Sequence, residues 1–344
     1  MTMVELLRSL CTLDGVSGAE DEVRDYILKK VRPLAEEVRV DPLGNVLAFR
    51  KGRKSSGKTV MLCAHMDEVG FIVKDITEEG YLKFNNLGGV DRRVIIGKRL
   101  KVGPRKLPGL VSIKAYHLVR EEEKNTVPKI DDLSIDIGVQ SREEAEKLVS
   151  IGDICSFDSD FVEFGDGFVK AKAIDDRIGC AVLLRVLEDG PAVDTWFAFV
   201  VQEEVGLRGS MGAAFGINPD IALIVEGTTA ADLPSAEGHR KACSPGKGVV
   251  LPFMDNSAIY HRPLFDELRR IADKNNIKWQ HKTIVAGGTD AGSIQKSREG
   301  AQVAVMSAAV RCIHSSICIA YGPDFDEMVK LGHAYLKHLE EHAS

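Results

Sequence analysis

Acidic and imidazole side chains collect where the apolar segments of this sequence end. The segment KTVMLCAHMDEVGFIV places a histidine two residues before an aspartate, and in an extended chain such a pair shares one face. Other apolar runs end in a glutamate pair, a single glutamate and a histidine, and an aspartate pair precedes the run IGCAVLL. The residues concerned are His65, Asp67, Asp175, Asp176, Glu203, Glu204, Glu226 and His314.

Each of these residues also has an ordinary structural explanation. Aspartate caps helix N-termini, and a glutamate pair before glycine is typical of a solvated turn. Parallel strands, however, deliver their carboxyl ends to one edge of a sheet, where such sheets bind ligands. Five carboxylates at one edge, from Asp67, Asp175, Glu203, Glu204 and Glu226, would repel one another without a counter-charge.

Two divalent cations would neutralise such a cluster. We predict one ion at His65, Asp175 and Glu226, and a second at Asp175, Glu204 and His314, so that Asp175 bridges them. One imidazole per ion favours zinc or cobalt over magnesium or calcium. Two such ions can activate one water molecule for hydrolysis.

The remaining acids of the cluster have other predicted roles. Glu203 stands next to a ligand and is the candidate general base. Asp67 would orient His65 through the second ring nitrogen. Asp176 would cap or orient the helix that follows it, and it would pair with Arg177.

The elements around these residues predict an α/β protein. Helices are expected over 3–13 and 19–37, the second capped by Ser17, and the run 58–73 is expected to be one buried strand. Short alternating segments between about 70 and 165 favour a small β domain, with one helix capped by Ser141. Helices and strands then alternate again, which favours a doubly wound mixed sheet with helices on both faces. We therefore predict a catalytic domain of residues 1–70 and 164–344, carrying an inserted β-barrel-like domain of residues 71–163.

Composition limits the partners and the compartment. The chain has 344 residues and a net charge of −6, which gives no reason to expect nucleic acid or a membrane surface as partner. Its seven cysteines are scattered, and no apolar run approaches the 18 or so residues of a membrane span. The start of the chain does not look like a signal peptide. We predict a cytoplasmic protein.

Six segments taken in order resemble one enzyme family. AHMDEVG, AKAIDDRIGC, VQEEVGLRG, IVEGTT, GGTDAGS and RCIHS are similar to motifs of the TET-type dinuclear metallo-aminopeptidases, the glutamyl or deblocking aminopeptidases. The resemblance covers nearly the whole chain. It implies a zinc-peptidase-like fold, two zinc or cobalt ions and trimming of peptides with a free N-terminus. It also implies a homo-oligomer, a dodecamer built from dimers, in which the inserted domain makes the dimer contacts.

The family pattern falls on the residues already singled out. It implies His65, Asp175, Glu204, Glu226 and His314 as metal ligands, with Glu203 as the base and Asp67 behind His65. Many members have aspartate where this sequence has Glu226, and the longer side chain could change metal geometry or affinity. The resemblance further implies a cis peptide bond after Asp175.

Two loops hold further candidates. Gly288, Thr289 and Asp290 are candidate substrate contacts, although Asp290 could equally cap a helix at AGSIQKS. Arg240 and Lys241 could meet an acidic side chain or be ordinary loop charges, and His117 is expected to be structural.

Three other functions stay open at this point. A metal-dependent deacylase of N-acyl amino acids, or a carboxypeptidase, would use the same activated water. A metal-free glycosidase needs two carboxylates across a sugar site. A non-catalytic, metal-stabilised assembly subunit is the third, but structural zinc sites are usually closed and rich in cysteine.

Overall fold

The structure is a computed structural model that describes residues 1–234 and 236–343. Its helices are α1 (Met3–Cys11), α2 (Asp21–Val31), α3 (Arg142–Glu146), α4 (Ile174–Asp189), α5 (Arg208–Ile217), α6 (Arg262–Lys274), α7 (Ala291–Ile294) and α8 (Gly322–Glu341). Its strands are β1 (Glu37–Val40), β2 (Val46–Arg50), β3 (Val60–His65), β4 (Gly70–Ile76), β5 (Leu82–Leu87), β6 (Arg99–Val102), β7 (Leu107–Ser112), β8 (Ser134–Asp136), β9 (Ile154–Phe157), β10 (Val162–Phe164), β11 (Phe168–Ala171), β12 (Thr195–Val200), β13 (Ile221–Thr229), β14 (Val249–Leu251), β15 (Trp279–His281), β16 (Gln302–Val310) and β17 (Cys318–Tyr321).

A mixed sheet forms the centre of the α/β part. Among the described residues its eight strands lie in the order β1-β2-β12-β3-β13-β16-β14-β15. The four central strands, β12, β3, β13 and β16, run parallel. Strand β2 pairs antiparallel with both β1 and β12, and β14 pairs antiparallel with β16 but parallel with β15. The parallel strands are apolar on both sides, because helices cover both faces of the sheet.

Alternate residues of each central strand enter different cores. Leu62 of β3 and Leu223 of β13 pack with helices α1, α2, α4, α6 and α8. Their neighbours Met61 and Ala222 pack with α5 and α7 on the opposite face. This confirms the predicted doubly wound sheet.

The β-rich segment closes on itself as a barrel. Strands β4, β5, β8, β7, β6 and β9 form a closed sheet with an apolar interior of its own. Phe71 packs edge-on against both Phe84 and Phe157 in that interior, with ring centroids 5.0 and 5.3 Å apart. A separate antiparallel sheet of β10, β11 and β17 lies outside the barrel.

Some local predictions were wrong. Helix α2 begins at Asp21 without a side-chain cap and ends at Val31, so Ser17 is not its N-cap. The run 58–73 is two strands rather than one, because the chain leaves the sheet after His65 and enters the barrel at Gly70. The cap on α3 is confirmed, since the side chain of Ser141 accepts a hydrogen bond from the backbone N–H of Glu144.

Across the described residues, every helix is too short or too polar to span a membrane.

Candidate metal centre and substrate cavity

The central parallel strands bring the candidate ligands to one edge of the sheet. His65 is the last residue of β3, and it pairs in register with Val200, the last residue of β12. Glu203 and Glu204 are the third and fourth residues after the end of β12 at Val200. Glu226 lies near the end of β13, and His314 follows β16.

Asp175 reaches the same place from the start of α4. Its backbone and that of Asp176 are not helical, and the peptide bond between them is cis, as the resemblance implied. The backbone N–H of Gly227 donates to Asp175 Oδ1 over 3.2 Å. A Cβ atom at position 227 would lie 2.7 Å from the same oxygen. The close approach of the β13 backbone to the Asp175 side chain therefore requires glycine.

The two oxygens of Asp175 face two different groups of side chains. Asp175 Oδ1 lies 3.8 Å from His65 Nε2, which lies 3.6 Å from Glu226 Oε2. Asp175 Oδ2 lies 3.4 Å from His314 Nε2, which lies 3.4 Å from Glu204 Oε1. One carboxylate is thus shared by two groups, each with one imidazole and one further carboxylate.

These distances fit two cation sites. A tetrahedral zinc ion with bonds of about 2.0–2.1 Å has ligand atoms about 3.3–3.4 Å apart. Glu226 Oε1 is buried and has no hydrogen-bond partner among the described residues. Within the part of the chain that the structure describes, the ion-pair partners of Asp67, Asp175, Glu204 and Glu226 are histidines only. The donor set therefore lacks counter-charge and matches the chemistry of a zinc-type ion.

Other combinations of nearby donors are geometrically possible. The donor atoms of His65, Asp175 and Glu204 lie within 4.8 Å of one another, and so do those of His65, Asp176 and Glu226. Asp176, however, already accepts hydrogen bonds from the backbone N–H groups of His65 and Gly179, at 3.2 and 2.9 Å. Its oxygens therefore have partners that the oxygen Oε1 of Glu226 lacks.

The three glutamates of the cluster resist ionisation. Burial raises the pKa of Glu203 and Glu226 well above the usual range, and it raises the pKa of Glu204 to about 7. Removing these charges from water is costly unless a cation is near. A divalent ion would take the place of the protons, because ligands must be deprotonated to bind metal.

The pKa values of the two histidines are raised as well, which favours their charged form. Burial disfavours a charged ring, but Glu226, Asp175 and Asp67 raise the pKa of His65 well above its ordinary value. Burial also disfavours the charged ring of His314, but Asp175 and Glu204 outweigh it and raise the pKa of His314 to about 9. Both shifts reflect an excess of negative charge around the rings.

Asp67 connects three parts of the cluster. His65 Nδ1 forms a hydrogen bond with the backbone carbonyl oxygen of Asp67 over 3.1 Å, and Asp67 Oδ1 lies 3.3 Å from the same nitrogen. The backbone N–H groups of Glu203 and Glu204 donate to Asp67 over 2.9 and 3.1 Å. The hydroxyl of Ser17 donates to its other oxygen over 2.6 Å. The fully buried carboxylate thus fixes one histidine relative to the glutamate pair.

The residues after Asp175 have separate duties. Asp176 accepts from the backbone N–H of Gly179 and caps α4 as predicted. The expected association of Asp176 with Arg177 is wrong, because the guanidinium of Arg177 donates to the carbonyl oxygens of Leu10 and Met66 and pairs with Glu68. Arg177 therefore ties α4 to the segment that carries His65 and Asp67.

A cavity of about 400 Å³ opens onto the cluster. Leu207 and Ile313 supply apolar wall, and the segments 227–229 and 286–289 supply small and neutral side chains. Lys282 brings a positive charge to the lining. Glu203 also faces this space, and among the described residues no hydrogen bond to its carboxylate is found.

The candidate substrate contacts separate into two groups. Gly288 and Thr289 line the cavity, and the hydroxyl of Thr289 donates to Asp255 Oδ2 over 2.9 Å. Asp290 is fully buried behind the wall, where it accepts a hydrogen bond from Ser210. Burial raises the pKa of Asp290 to about 6. Arg240 and Lys241 are exposed and do not belong to the lining.

Three residues of the site were not recognised from the sequence. Ser17 was interpreted as a helix cap because it precedes an acidic, helix-forming stretch. Gly227 follows Glu226 directly, and a glycine at a strand end was the available sign of a close backbone approach. Lys282 follows a short edge strand and carried no local signal, because only the tertiary fold turns it toward the cavity.

Comparisons with known proteins agree with this geometry. A family model described as M42 glutamyl aminopeptidase matches residues 44–331. A lysyl aminopeptidase of Pyrococcus furiosus is 34% identical over 346 aligned positions, covering 98% of this chain and 97% of that protein. The crystal structure of a TET aminopeptidase from a marine-sediment thaumarchaeote superposes with a TM-score of 0.93 at 34% identity, covering 99% of both chains. The Pyrococcus horikoshii TET1 peptidase, which can assemble into a tetrahedron or a large octahedral shell, gives a TM-score of 0.86 at 31% identity, covering 97% of this chain and 99% of that one.

The sheet, the barrel and the ligand edge define a zinc-peptidase-like peptide hydrolase. The chain belongs to the M42 glutamyl aminopeptidase family, as the sequence motifs predicted. It is therefore an enzyme of the aminopeptidase class.

Proposed function

We propose that the enzyme removes N-terminal residues from peptides with the help of two divalent ions, zinc or cobalt. His65, Asp175 and Glu226 would hold one ion, and Asp175, Glu204 and His314 the other. The observation that carries this proposal is the division of the Asp175 oxygens between two histidine–carboxylate groups at 3.4–3.8 Å. The chemistry that such ions supply when bound is polarisation of the scissile carbonyl and activation of a water molecule.

Glu203 is the proposed general base. It faces the cavity beside Glu204, and burial raises its pKa, which strengthens it as a proton acceptor. Glu203 takes a proton from the attacking water and then donates it to the departing amine. Asp67 is a positioning residue in this proposal, because it acts on the reaction only through His65 and the backbone of residues 203–204.

The proposed base is tested by Glu203→Gln. The amide keeps the size of the side chain but cannot accept the proton. We expect bound zinc, measured by mass spectrometry of the purified protein, to stay at two ions per subunit, and kcat to fall by about 10²- to 10⁴-fold. Glu299→Gln, on the exposed surface, is the matched control. Near-normal turnover in Glu203→Gln would exclude this residue as the base.

A substrate panel tests the reaction class. Aminoacyl-anilides should be hydrolysed, whereas N-acetylated amino acids and peptides with a blocked N-terminus should not. Hydrolysis of the acetylated compounds would favour the deacylase instead. Release of C-terminal residues would favour the carboxypeptidase.

We also propose a homo-oligomer in the cytoplasm, a dodecamer built from six dimers. The proposed domain bounds are 1–70 with 164–344 and 71–163, and the second domain would make the dimer contacts. In support, β7 and the segment after it expose large apolar side chains at Leu110, Ile113, Tyr116, Leu118 and Val127. The cysteines of the described residues are all free, which fits a reducing compartment. Light scattering should report twelve 37.6-kDa subunits, and Tyr116→Glu with Leu118→Glu should give smaller particles.

A further inference from the structure

The loop that carries His314 has a cysteine at each end. Just outside it, the backbone N–H groups of Arg311 and Ile319 donate to each other's carbonyl oxygens over 2.8 and 3.0 Å, as an antiparallel pair. The next residues toward the loop are Cys312 and Cys318, so the register places them opposite each other. Residues at such a position of a regular ladder have Cα atoms about 4.5 Å apart, and a disulfide needs about 4.4–6.8 Å. The backbone register is therefore suited to a bond between these two cysteines.

The two thiols differ in what they face. The Cys318 side chain is 2% exposed, and its Sγ lies 3.6 Å from the carbonyl oxygen of Cys312 and 3.8 Å from that of Ser315. Cys312 is exposed, whereas the other six cysteines of the chain, all among the described residues, are buried. An oxidant from solvent therefore reaches Cys312 first, and the thiol of Cys318 already points into the same loop. One accessible and one adjoining thiol are what a reversible redox pair requires.

The loop must change its conformation before that bond forms. Cys312 and His314 have φ values of 55° and 57°, in the left-handed region that non-glycine residues rarely adopt. Ser315 Oγ donates to the carbonyl oxygen of Cys312 over 2.7 Å and so fixes this conformation. It is the carbonyl of Cys312, rather than its exposed side chain, that faces Cys318. A disulfide requires the Cys312 backbone to turn over, which moves His314 two residues further on.

The two proposed ion sites depend on this loop unequally. His65 ends the buried strand β3, and its side chain is 1% exposed. His314 belongs to the loop alone, and its side chain is 35% exposed. Displacement of the loop therefore removes one imidazole from Asp175 and Glu204 and leaves the group around His65 intact.

We infer that Cys312 and Cys318 form a reversible disulfide that withdraws His314 from its ion site. The segment 312–318 is thereby a redox modification site, with a peroxide as the oxidant. The effect on the ion rests on the proposed metal centre, whereas the formation of the disulfide does not. Disulfides in reducing compartments are usually transient and redox-sensing, which agrees with the free thiols of this chain.

The bond forms in two balanced steps. The sulfur of Cys312 attacks one oxygen of hydrogen peroxide, the O–O bond breaks, and a sulfenic acid and one water molecule result. The sulfur of Cys318 then attacks the Cys312 sulfur, the S–O bond breaks, and the hydroxyl leaves with the Cys318 thiol proton as a second water. Two thiols are oxidised, and one peroxide is reduced to two water molecules. Thiol reductants reverse the bond by exchange.

Peroxide treatment of the zinc-loaded enzyme tests the inference. The tryptic peptide 312–330 contains both cysteines and no other, so it should lose two hydrogen atoms and resist alkylation in mass spectrometry. One of the two zinc ions per subunit should pass to a chromogenic chelator, and kcat/KM for an aminoacyl-anilide should fall about 10-fold or more. A phosphine reductant with added zinc should restore the peptide mass, the zinc content and the activity.

Variants separate this pair from other oxidation. Cys312→Ser should keep both ions and its activity through the same treatment. Cys11→Ala removes a buried thiol of the apolar core that also contains Cys318, and it should respond as the wild type does. If the peptide stays reduced, or closes while both ions remain bound, the inference is overturned. If the reduced enzyme binds no zinc, the proposed metal centre fails first, and the mass of peptide 312–330 still decides whether the disulfide forms.

Discussion

Two buried charge clusters lie next to each other behind the carboxyl edge of the sheet. In the first, Glu68 meets Lys172 at 2.7 Å and Arg177 at 3.2 Å, and Asp14 meets Lys172 at 2.8 Å. We call these four residues the inner ion network. The second cluster consists of His65, Asp175, Glu204, Glu226 and His314, and we call it the metal-type cluster. Among the described residues, the ion-pair partners of its carboxylates are histidines only.

The difference concerns the origin of the counter-charge. The inner ion network is neutralised by the chain itself, and it ties α4 and the segment after β3 into a rigid support. The metal-type cluster has no lysine or arginine partner among the described residues, and in the proposed function divalent ions neutralise it. Buried charge that the chain pairs is structural, whereas buried charge that it leaves unpaired marks the site of chemistry.

The largest expected effect comes from removing the external counter-charge. Dialysis against a strong chelator, or Asp175→Asn, should reduce peptidase activity by about 10³-fold or more, because both ion sites share this carboxylate. Zinc or cobalt should restore the chelated wild type but not the variant. Activity that survives complete metal removal would contradict the proposed metal centre and favour the metal-free alternative.

Breaking the inner ion network should lower the free energy of unfolding more than breaking an exposed ion pair does. Glu68→Gln leaves Lys172 and Arg177 buried without their shared carboxylate, which we expect to lower the free energy of unfolding by about 3–5 kcal/mol. Urea denaturation measures the change. In the control Glu340→Gln, the variant loses an exposed contact with Arg53 and should unfold nearly as the wild type does. Equal effects of the two changes would contradict the structural role of the network.

An intermediate effect is expected at Asp67, which contacts both His65 and the backbone of the glutamate pair. Asp67→Asn keeps the shape but weakens the contact with His65 Nδ1, so zinc affinity or activity should fall by about 10- to 100-fold. Competition with a fluorescent chelator measures the affinity. Ser17→Ala removes only the hydroxyl that donates to Asp67 and should have a smaller effect. A larger effect of Ser17→Ala would show that Asp67 does not act through His65.

The stability that the two clusters contribute should depend on pH with opposite signs. In the metal-free protein the pKa of Glu204 is about 7, against about 4.3 in an unfolded chain, and that of His314 is about 9, against about 6.5. Both contribute stability at low pH that is lost as the pH rises through these folded values. Although burial opposes it, Lys172 and Lys106 hold the pKa of Asp14 well below its usual value, so its contribution is present above about pH 4 and is lost as the pH falls.

Urea denaturation with chelator present tests this sign. Stability should decline from pH 5 to pH 9 without metal, and saturating zinc should remove the decline, because the ions replace the protons. Below pH 4, stability should fall whether or not metal is present. A metal-free protein that becomes more stable from pH 5 to pH 9 would contradict the assignment.

Much of the fold and of the cluster was predictable from local patterns. Apolar runs bounded by polar residues predicted the central strands, and the parallel arrangement placed His65, Glu204 and Glu226 at one edge. The change to short alternating segments predicted the barrel. The boundaries near His65 were less accurate, because a continuous apolar run conceals the point where the chain leaves one sheet and enters another.

What the sequence by itself determined was the kind of chemistry: two imidazoles and an excess of carboxylates at strand ends, in the order of a known family. Only the tertiary structure decided which oxygen faces which ring, that Ser17 supports Asp67 rather than a helix, that Asp290 lies behind the wall, and that Lys282 faces the cavity. The physical reason is that residue types and strand periodicity are local properties. Counter-charges and cavity walls depend on contacts between segments far apart in the chain, such as Glu68 with Lys172, 104 residues apart, and Gly227 with Asp175, 52 residues apart.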